Sequence, residues 1–186
     1  MSNLKEEAVI FYRARKYAEA FSKYLVLSEQ GDVQSQIVVG QMYEDGLGVQ
    51  QNLGQARRWY EAAAERNSLE AQHRLGYMFY QANDYTSAFS WYQVAASRGY
   101  LPALWRLAWL YRQGKGVAVD QTKAYSLLEQ AAKSGHIFSK RDLAVMLLKG
   151  QQGFSGIFKG VGLLSECILD AIRILSRSES DERTRI

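Results

Sequence analysis

The sequence predicts an all-α protein, a right-handed α-α superhelix (solenoid) of about five helix hairpins. The first observation is a repeated skeleton. Residues 42–64 read MYEDGLGVQQNLGQARRWYEAAA, and residues 110–132, which lie 68 positions later, read LYRQGKGVAVDQTKAYSLLEQAA. The second observation is an apolar stripe that recurs at helical spacing in successive repeats. Because one hairpin cannot bury its apolar face alone, such hairpins stack into a continuous core.

The first helix of each hairpin carries a pattern of large, small and large residues. Four of the repeats start at Ser35, Ala71, Ala103 and Ser139. Five positions later each repeat has a small residue: Gly40, Gly76, Ala108 and Ala144. Glycine inside a helix costs roughly 0.5–1 kcal/mol relative to alanine. Its recurrence here predicts that a second helix packs closely against the first.

The second helix of each hairpin follows a turn of variable length. Two of these turns contain a Gly-x-Gly-Val motif, at 46–49 and 114–117, whose glycines supply backbone angles that other residues resist. Asn52 and Asp120 come next and are placed to cap the second helix, and Gln55 completes a capping-box spacing. The second helices share a stop position suited to a left-handed C-cap: Gly31, Asn67, Gly99 and Gly135.

The repeats predict one repeat domain, residues 1–176, followed by a tail. The five repeats lie near 3–34, 35–70, 71–102, 103–138 and 139–175. The first is inferred from YAEAFSKYLVLSEQG (17–31), which resembles YTSAFSWYQVAASRG (85–99). Residues 177–186 are mostly charged or polar, and we expect them to form a flexible tail.

The composition excludes several functional classes. The net charge of +4 over 186 residues is too small and too dispersed to indicate nucleic-acid binding. The single cysteine excludes an intramolecular disulfide, and two histidines leave little for a metal site.

No catalytic set or cofactor motif is recognisable, so we expect no enzyme and no cofactor. Charges near the N-terminus argue against a secretory signal, and the absence of a run of about 18 apolar residues argues against a transmembrane helix, so a cytoplasmic location is expected.

Two reactive residues occupy ordinary repeat positions. His136 stands at the turn position that Asp32, Ser68 and Tyr100 hold in other repeats, which predicts a structural role. Cys167 stands where Ala63 and Ala131 occur, which predicts a small buried residue rather than a nucleophile.

These residues resemble the Sel1-like repeat family, a relative of the tetratricopeptide repeat with a longer inter-helix loop. Its pattern is similar to A-x-x-x-L-G-x-M-Y-x-x-G-x-G-V-x-x-D-x-x-x-A-x-x-W-Y-x-x-A-A-x-x-G. Residues 35–67 and 103–135 match most of this pattern, and residues 71–99 match its helices. The resemblance implies an adaptor that assembles other proteins, with a protein or peptide as its partner.

Analogy with tetratricopeptide repeats also implies where a partner segment would bind. The positions two, six and nine residues after a repeat start would face a concave groove. In the central repeats they are His73, Tyr77, Tyr80, Trp105, Trp109 and Arg112. Aromatic and arginine side chains are enriched among binding hot spots. The alternative is that these aromatic side chains fill the space between adjacent first helices.

The segment 154–175 is the most apolar part of the chain. Its apolar residues recur at helical spacing: Ile157, Phe158, Val161, Leu164, Ile168, Ile172 and Leu175. A terminal repeat normally has a polar outer face, so something should cover this one. The segment could fold back as a cap on its own stack, could form a homodimer contact, or could dock on another protein or a membrane surface. The candidate contact residues are Phe158, Val161, Ile168, Ile172 and Leu175.

Two functional hypotheses follow from these observations. The first is a non-enzymatic adaptor that binds a partner segment in its concave groove. The second is a peripheral membrane-associated assembly factor, for example in envelope polysaccharide biogenesis, that docks through 154–175.

Overall fold

The computed structural model describes the backbone of residues 2–150 and 153–183, and the side chains of these residues except 2, 153, 154, 171 and 174–183. In this part of the chain all regular structure is helical. The helices are α1 (Ser2–Arg13), α2 (Tyr17–Glu29), α3 (Val33–Asp45), α4 (Leu53–Glu65), α5 (Leu69–Gln81), α6 (Tyr85–Ser97), α7 (Leu101–Gln113), α8 (Gln121–Lys133), α9 (Ile137–Leu148) and α10 (Gly153–Arg183). The predicted fold class, an all-α solenoid of helix hairpins, is confirmed.

The hairpins form two compact units. The first unit, Met1–Tyr100, contains α1 to α6, and the second, Leu101–Ile186, contains α7 to α10. Within each unit, every helix packs on the helix before it and the helix after it along the chain. The proposed limits of a single repeat domain and of a flexible tail stay predictions, although helix α10 continues to Arg183.

The predicted helix ends are present. The Asn52 side chain accepts a hydrogen bond from the backbone N–H of Gln55 at 3.0 Å, and Asp120 accepts one from Lys123 at 2.8 Å. The N–H of Asn52 itself donates to the carbonyl of Tyr43, so this bond replaces the reciprocal half of the capping box. The four stop residues all have positive φ, between 63° and 87°: Gly31, Asn67, Gly99 and Gly135.

The recurrent glycines of the first helices lie beneath tyrosine rings. A Cβ atom at Gly40 would lie 2.6 Å from the ring of Tyr60, and one at Gly76 would lie 2.7 Å from the ring of Tyr92. Both tyrosines are fully buried. The two helices therefore approach closely as predicted, because a tyrosine ring of the second helix fills the space that a side chain at the glycine would occupy.

The loop of the second repeat is seated on the first repeat. Gly48 has φ of +71°, and a Cβ atom there would collide with the backbone of Tyr17 and Ala18 at the start of α2. Glycine is required at this position both for its backbone angle and for the contact.

Helix α10 runs without a break from Gly153 to Arg183. Gly160 lies against α9, where a Cβ atom would be 3.1 Å from the carbonyl oxygen of Ala144. Because the helix is continuous, it does not fold back on the stack in the part that the structure describes.

Candidate functional site

The position two residues after a repeat start lies where one hairpin meets the next. Ile37 is 2% exposed and packs in a cluster with Tyr60 and Leu75. The half-buried ring of His73 lies 5.5 Å from that of Tyr92 and 5.6 Å from that of Tyr100. These contacts agree with the alternative in which inner side chains fill the space between hairpins.

Trp105 occupies the same repeat position in the second unit. Its indole Nε1 donates a hydrogen bond to Asp142 at 2.7 Å, and its ring lies 5.6 Å from Phe138 and 6.2 Å from His136. His136 and Tyr100 occupy equivalent positions, so Trp105 and His73 each lie near the ring of the residue at this turn position. A partner-binding role for these two residues stays a prediction.

The position six residues after a repeat start is the more accessible one. Tyr77 and Trp109 are both half-buried. The Tyr77 hydroxyl accepts a hydrogen bond from Gln81 Nε2 at 2.9 Å, and the ammonium group of Lys115 lies 5.2 Å from the centre of the Trp109 ring.

The position nine residues after a repeat start holds different chemistry in the two units. Tyr80 makes an edge contact with Tyr85 at 5.5 Å. Arg112 is half-buried, and its guanidinium takes part in none of the hydrogen bonds and ion pairs found in the described side chains.

A cavity of about 430 Å³ opens beside Tyr77 in the first unit. It is lined by the end of α3, the following loop, the start of α4 and the end of α5. The lining residues are Glu44, Asp45, Gln51, Leu53, Tyr77, Met78, Gln81 and Ala82. Such a volume accommodates a long side chain, and its lining combines apolar walls with two carboxylates.

The Glu44 carboxylate in this cavity is held in place. It accepts a hydrogen bond from the buried Tyr60 hydroxyl at 2.6 Å, and the Glu44 carbonyl accepts one from Gln51 Nε2 at 2.8 Å. Burial, together with the hydrogen bond to Glu44, raises the pKa of Tyr60 well above its usual range. The phenol therefore stays protonated and remains a hydrogen-bond donor at physiological pH.

Asp45 lies beside Glu44 and is exposed. In the residues whose side chains are described, no hydrogen bond or ion pair involves its carboxylate. Burial raises the pKa values of Tyr12, Tyr60 and Tyr100, and the charge of Arg74 offsets part of each rise. Within the described side chains, Arg74 makes no ion pair. Asp45 and Gln51, which line this cavity, are not among the residues predicted from the sequence.

A second cavity, of about 260 Å³, lies between α8, α9 and α10 in the second unit. Its charged residues pair with one another or with a neighbour. Lys159 lies 2.9 Å from Glu129, and Lys140 lies 3.6 Å from Glu166 and 2.8 Å from Asp170. Because these charged side chains already pair within the chain, the second cavity is a weaker candidate for binding a charged ligand than the first cavity.

His136 and Cys167 are placed by the repeats. His136 caps α9, because its Nδ1 accepts a hydrogen bond from the backbone N–H of Ser139 at 3.3 Å, which confirms its structural role. Cys167 is half-buried, so the prediction of a buried residue is only partly confirmed. Burial raises the pKa of its thiol, which keeps it protonated.

Two further findings concern the described residues as a whole. Within 2–150 and 153–183, no group of three or more His, Cys, Asp or Glu side chains is placed to hold a metal ion. No helix, as far as the structure describes it, is long and apolar enough to cross a membrane.

The apolar face of α10 is exposed. The exposed fractions are 68% for Phe158, 56% for Val161, 61% for Ile168, 53% for Leu169 and 55% for Ile172. The Leu175 side chain, which was predicted to belong to this face, lies outside the described part.

Comparison with known proteins supports the same fold. Residues of this chain are 39% identical over 61 positions to DAP3-binding cell death enhancer 1 of Rattus norvegicus, which covers 33% of this chain and 12% of that protein. The chain thus spans about an eighth of that relative's length.

Solved structures with a similar fold include two repeat proteins. One is c5321, a protective antigen present in uropathogenic Escherichia coli strains, with a TM-score of 0.73, 27% identity, and coverage of 83% of this chain and 34% of the other. The second is a Sel1 repeat protein from Oxalobacter formigenes, with a TM-score of 0.75, 24% identity, and coverage of 87% and 68%. The second likeness shows the fold alone.

The family model of the Sel1 repeat matches residues 33–68, 69–100 and 101–136. These three matches cover more than half of the chain and coincide with the hairpins that start at α3, α5 and α7. Sel1 repeats generally mediate protein–protein interactions and form a non-catalytic repeat fold. The chain belongs to the Sel1 repeat family.

Proposed function

We propose that this chain is a non-enzymatic adaptor that binds a segment of a partner protein along the first helices of its repeats. The observation that carries the proposal is the cavity of about 430 Å³ beside Tyr77 in the first unit. It provides a place where one side chain of a partner segment can be buried, as binding hot spots require.

The lining of this cavity favours a lysine or arginine side chain. The aliphatic stem would lie along Leu53 and Met78, because long cationic side chains bury their methylene groups against apolar surface. The cationic head would meet the carboxylates of Glu44 and Asp45 in a charge-assisted contact. The face of the Tyr77 ring would add a cation–π interaction.

The second unit presents complementary chemistry of its own. Trp109 offers a half-buried aromatic surface, and Arg112 offers a guanidinium for a partner carboxylate. The residues that we propose as partner contacts are those predicted from the sequence, His73, Tyr77, Tyr80, Trp105, Trp109 and Arg112, to which we add Glu44 and Asp45 from the cavity.

Selection of displayed random peptides on the wild-type chain tests this proposal. We expect the selected peptides to be enriched in lysine or arginine. Their dissociation constants, measured by fluorescence anisotropy, should rise by about tenfold or more in Asp45→Lys and in Tyr77→Ala. Arg58→Ala is the matched control, because Arg58 is exposed on α4 outside the cavity, and it should bind as the wild type does.

Two results would count against the proposal. If the selected peptides lacked basic residues and bound Asp45→Lys as tightly as the wild type, the cavity would not be part of the binding surface. If Trp109→Ala and Arg112→Ala also left every peptide's affinity unchanged, partner binding by the first helices would be excluded. The cytoplasmic location and the absence of nucleic-acid binding stay predictions.

A further inference from the structure

We infer that the exposed face of α10 is a self-association surface, which binds the same face of a second copy of this chain. The face consists of Phe158, Val161, Ser165, Ile168 and Ile172, and Leu169 lies beside it. Each of its apolar members is more than half exposed. The largest apolar patch on a protein surface is often a functional site, which makes this face a candidate for an interaction.

The spacing of these residues fits pairing with another helix. Phe158, Val161, Ser165, Ile168 and Ile172 are separated by three, four, three and four positions. This alternation keeps the residues on one seam between two helices that pack side by side. Helix α9 contacts the opposite side of α10, through Gly160 and its neighbours. Packing of α10 on α9 therefore does not account for the apolar residues of the exposed face.

The middle of the face contains a notch at Gly162. A Cβ atom at this position would meet nothing within 4 Å. Glycine is unfavourable inside a helix, and here the described part of the chain supplies no close contact that would require it. Gly160, two residues earlier, does have such a contact with Ala144. The open notch at Gly162, beside the small side chain of Ser165, would let a second helix approach closely.

The charges around the face favour a second copy over an anionic membrane. Lys159 pairs with Glu129 at 2.9 Å, and Arg173 pairs with Asp170 at 3.4 Å. These are the basic residues of α10 whose side chains are described, and each lies beside an acidic side chain of the same chain. A helix that binds anionic lipid relies instead on a surplus of cations along its polar face.

The area is sufficient for a specific contact. The exposed apolar side chains present roughly 500 Å² in each copy, so two copies would bury on the order of 1,000 Å², the lower end for a biological interface. A two-fold arrangement uses the same surface from both copies, so one patch of uncharged residues can be complementary to itself.

Analytical ultracentrifugation of the full chain over a wide micromolar range tests the inference. We expect a reversible dimer. Val161→Glu combined with Ile168→Glu should raise its dissociation constant by more than about tenfold, because the interface would then bury charges without partners. Val119→Glu is the matched control, since Val119 is 60% exposed elsewhere in the second unit, and it should leave the dimer intact.

Gly162→Leu is a second variant that separates association from folding. A Cβ atom at Gly162 meets nothing within 4 Å, and leucine favours a helix more than glycine does, so the melting temperature measured by circular dichroism should be retained or raised. In the dimer the same side chain would fill the notch and weaken association by about tenfold.

Two results would overturn the inference. The wild-type chain could stay monomeric throughout the concentration range, or it could form a dimer that is weakened neither by Val161→Glu combined with Ile168→Glu nor by Gly162→Leu. Co-sedimentation of a monomeric chain with phosphatidylglycerol vesicles, abolished by the Glu substitutions, would assign the face to a membrane instead. The peptide-binding proposal does not depend on any of these outcomes.

Discussion

In the first unit Gly40 and Gly76 each lie beneath a tyrosine ring, whereas the same repeat positions of the second unit hold Ala108 and Ala144. The residue that faces Gly40 is Tyr60, and the second unit has Leu128 at the equivalent position. Leu128 is 1% exposed, so both solutions bury the facing side chain. In the second unit a larger residue on the first helix is matched by a smaller one on the second helix, so the summed volume of the two positions is similar in the two units.

The helix caps differ between the units in a similar way. Asp32 caps α3, and His136, at the equivalent position, caps α9. Burial opposes ionisation of Asp32, but hydrogen bonds from Ser35 and Lys5 outweigh it and lower the pKa of the carboxyl group. Burial lowers the pKa of His136, partly offset by Asp142. The same cap is therefore charged in one unit and neutral in the other at physiological pH.

The charge at one pair of equivalent helix positions is reversed. Glu44, near the end of α3, lines the cavity of the first unit, and Arg112, near the end of α7, occupies the matching position of the second. Under the proposed function, this reversal changes which partner side chain each unit would bind, while the helices that present the two residues stay alike.

The largest effect is expected from removing a tyrosine ring. Tyr60→Ala should lower the free energy of unfolding by about 3–5 kcal/mol, because it leaves a cavity above Gly40 that no side chain can fill. Urea denaturation followed by circular dichroism measures this loss. Tyr60→Phe, which keeps the ring and removes only the hydrogen bond to Glu44, should lose about 1 kcal/mol. Equal losses in the two variants would show that ring packing is not the stabilising element.

A smaller effect is expected from adding a methyl group beneath the ring. Gly40→Ala should destabilise the chain by about 1–3 kcal/mol, because the new Cβ atom would lie 2.6 Å from the Tyr60 ring. The double variant Gly40→Ala with Tyr60→Leu reproduces the pair found in the second unit and should recover much of that loss. Stabilisation by Gly40→Ala alone, as helix propensity would give, would contradict conservation of the pair's volume.

The smallest effect concerns pH and the His136 cap. The pKa of folded His136 lies below the unfolded value of 6.5, so the folded state favours the neutral ring. The stabilisation from this cap is complete above that value and is lost as pH falls through the folded pKa. We expect the wild type to lose up to about 1 kcal/mol more than His136→Asp between pH 7.5 and pH 5, since an aspartate cap keeps its charge there. Identical pH dependence of the two unfolding free energies would refute the role of this cap.

Much of the fold could be predicted because its determinants are local. Gly40 and Gly76 predicted a close helix contact, and Asn67 with its equivalent glycines predicted the helix ends, because each acts within its own hairpin or turn. The positions of His73 and Trp105 were harder to assign. The apolar periodicity of a helix shows which of its residues share a face. It does not show whether that face is exposed in a groove or covered by a neighbouring helix, because this depends on tertiary packing.

The candidate cavity was less predictable for a similar reason. Asp45, Gln51 and Tyr77 come from three segments, and only the packing of α5 beside the preceding loop brings them together. The one available signal was the adjacent acidic pair at the end of α3, and nothing in a single sequence distinguishes that pair from solvated surface charge.

The contact of Gly48 with the backbone at the start of α2 limits how these repeats can be exchanged. A clash with a neighbouring side chain can be relieved by a smaller residue at the neighbouring position. A clash with backbone atoms cannot be relieved in this way, because every residue has the same backbone atoms. A recombination event that joined the first hairpin to a loop of the same length with another residue at position 48 would therefore place a Cβ atom against the backbone of α2. The first two hairpins should be inherited, duplicated or grafted into designed arrays as a single cassette.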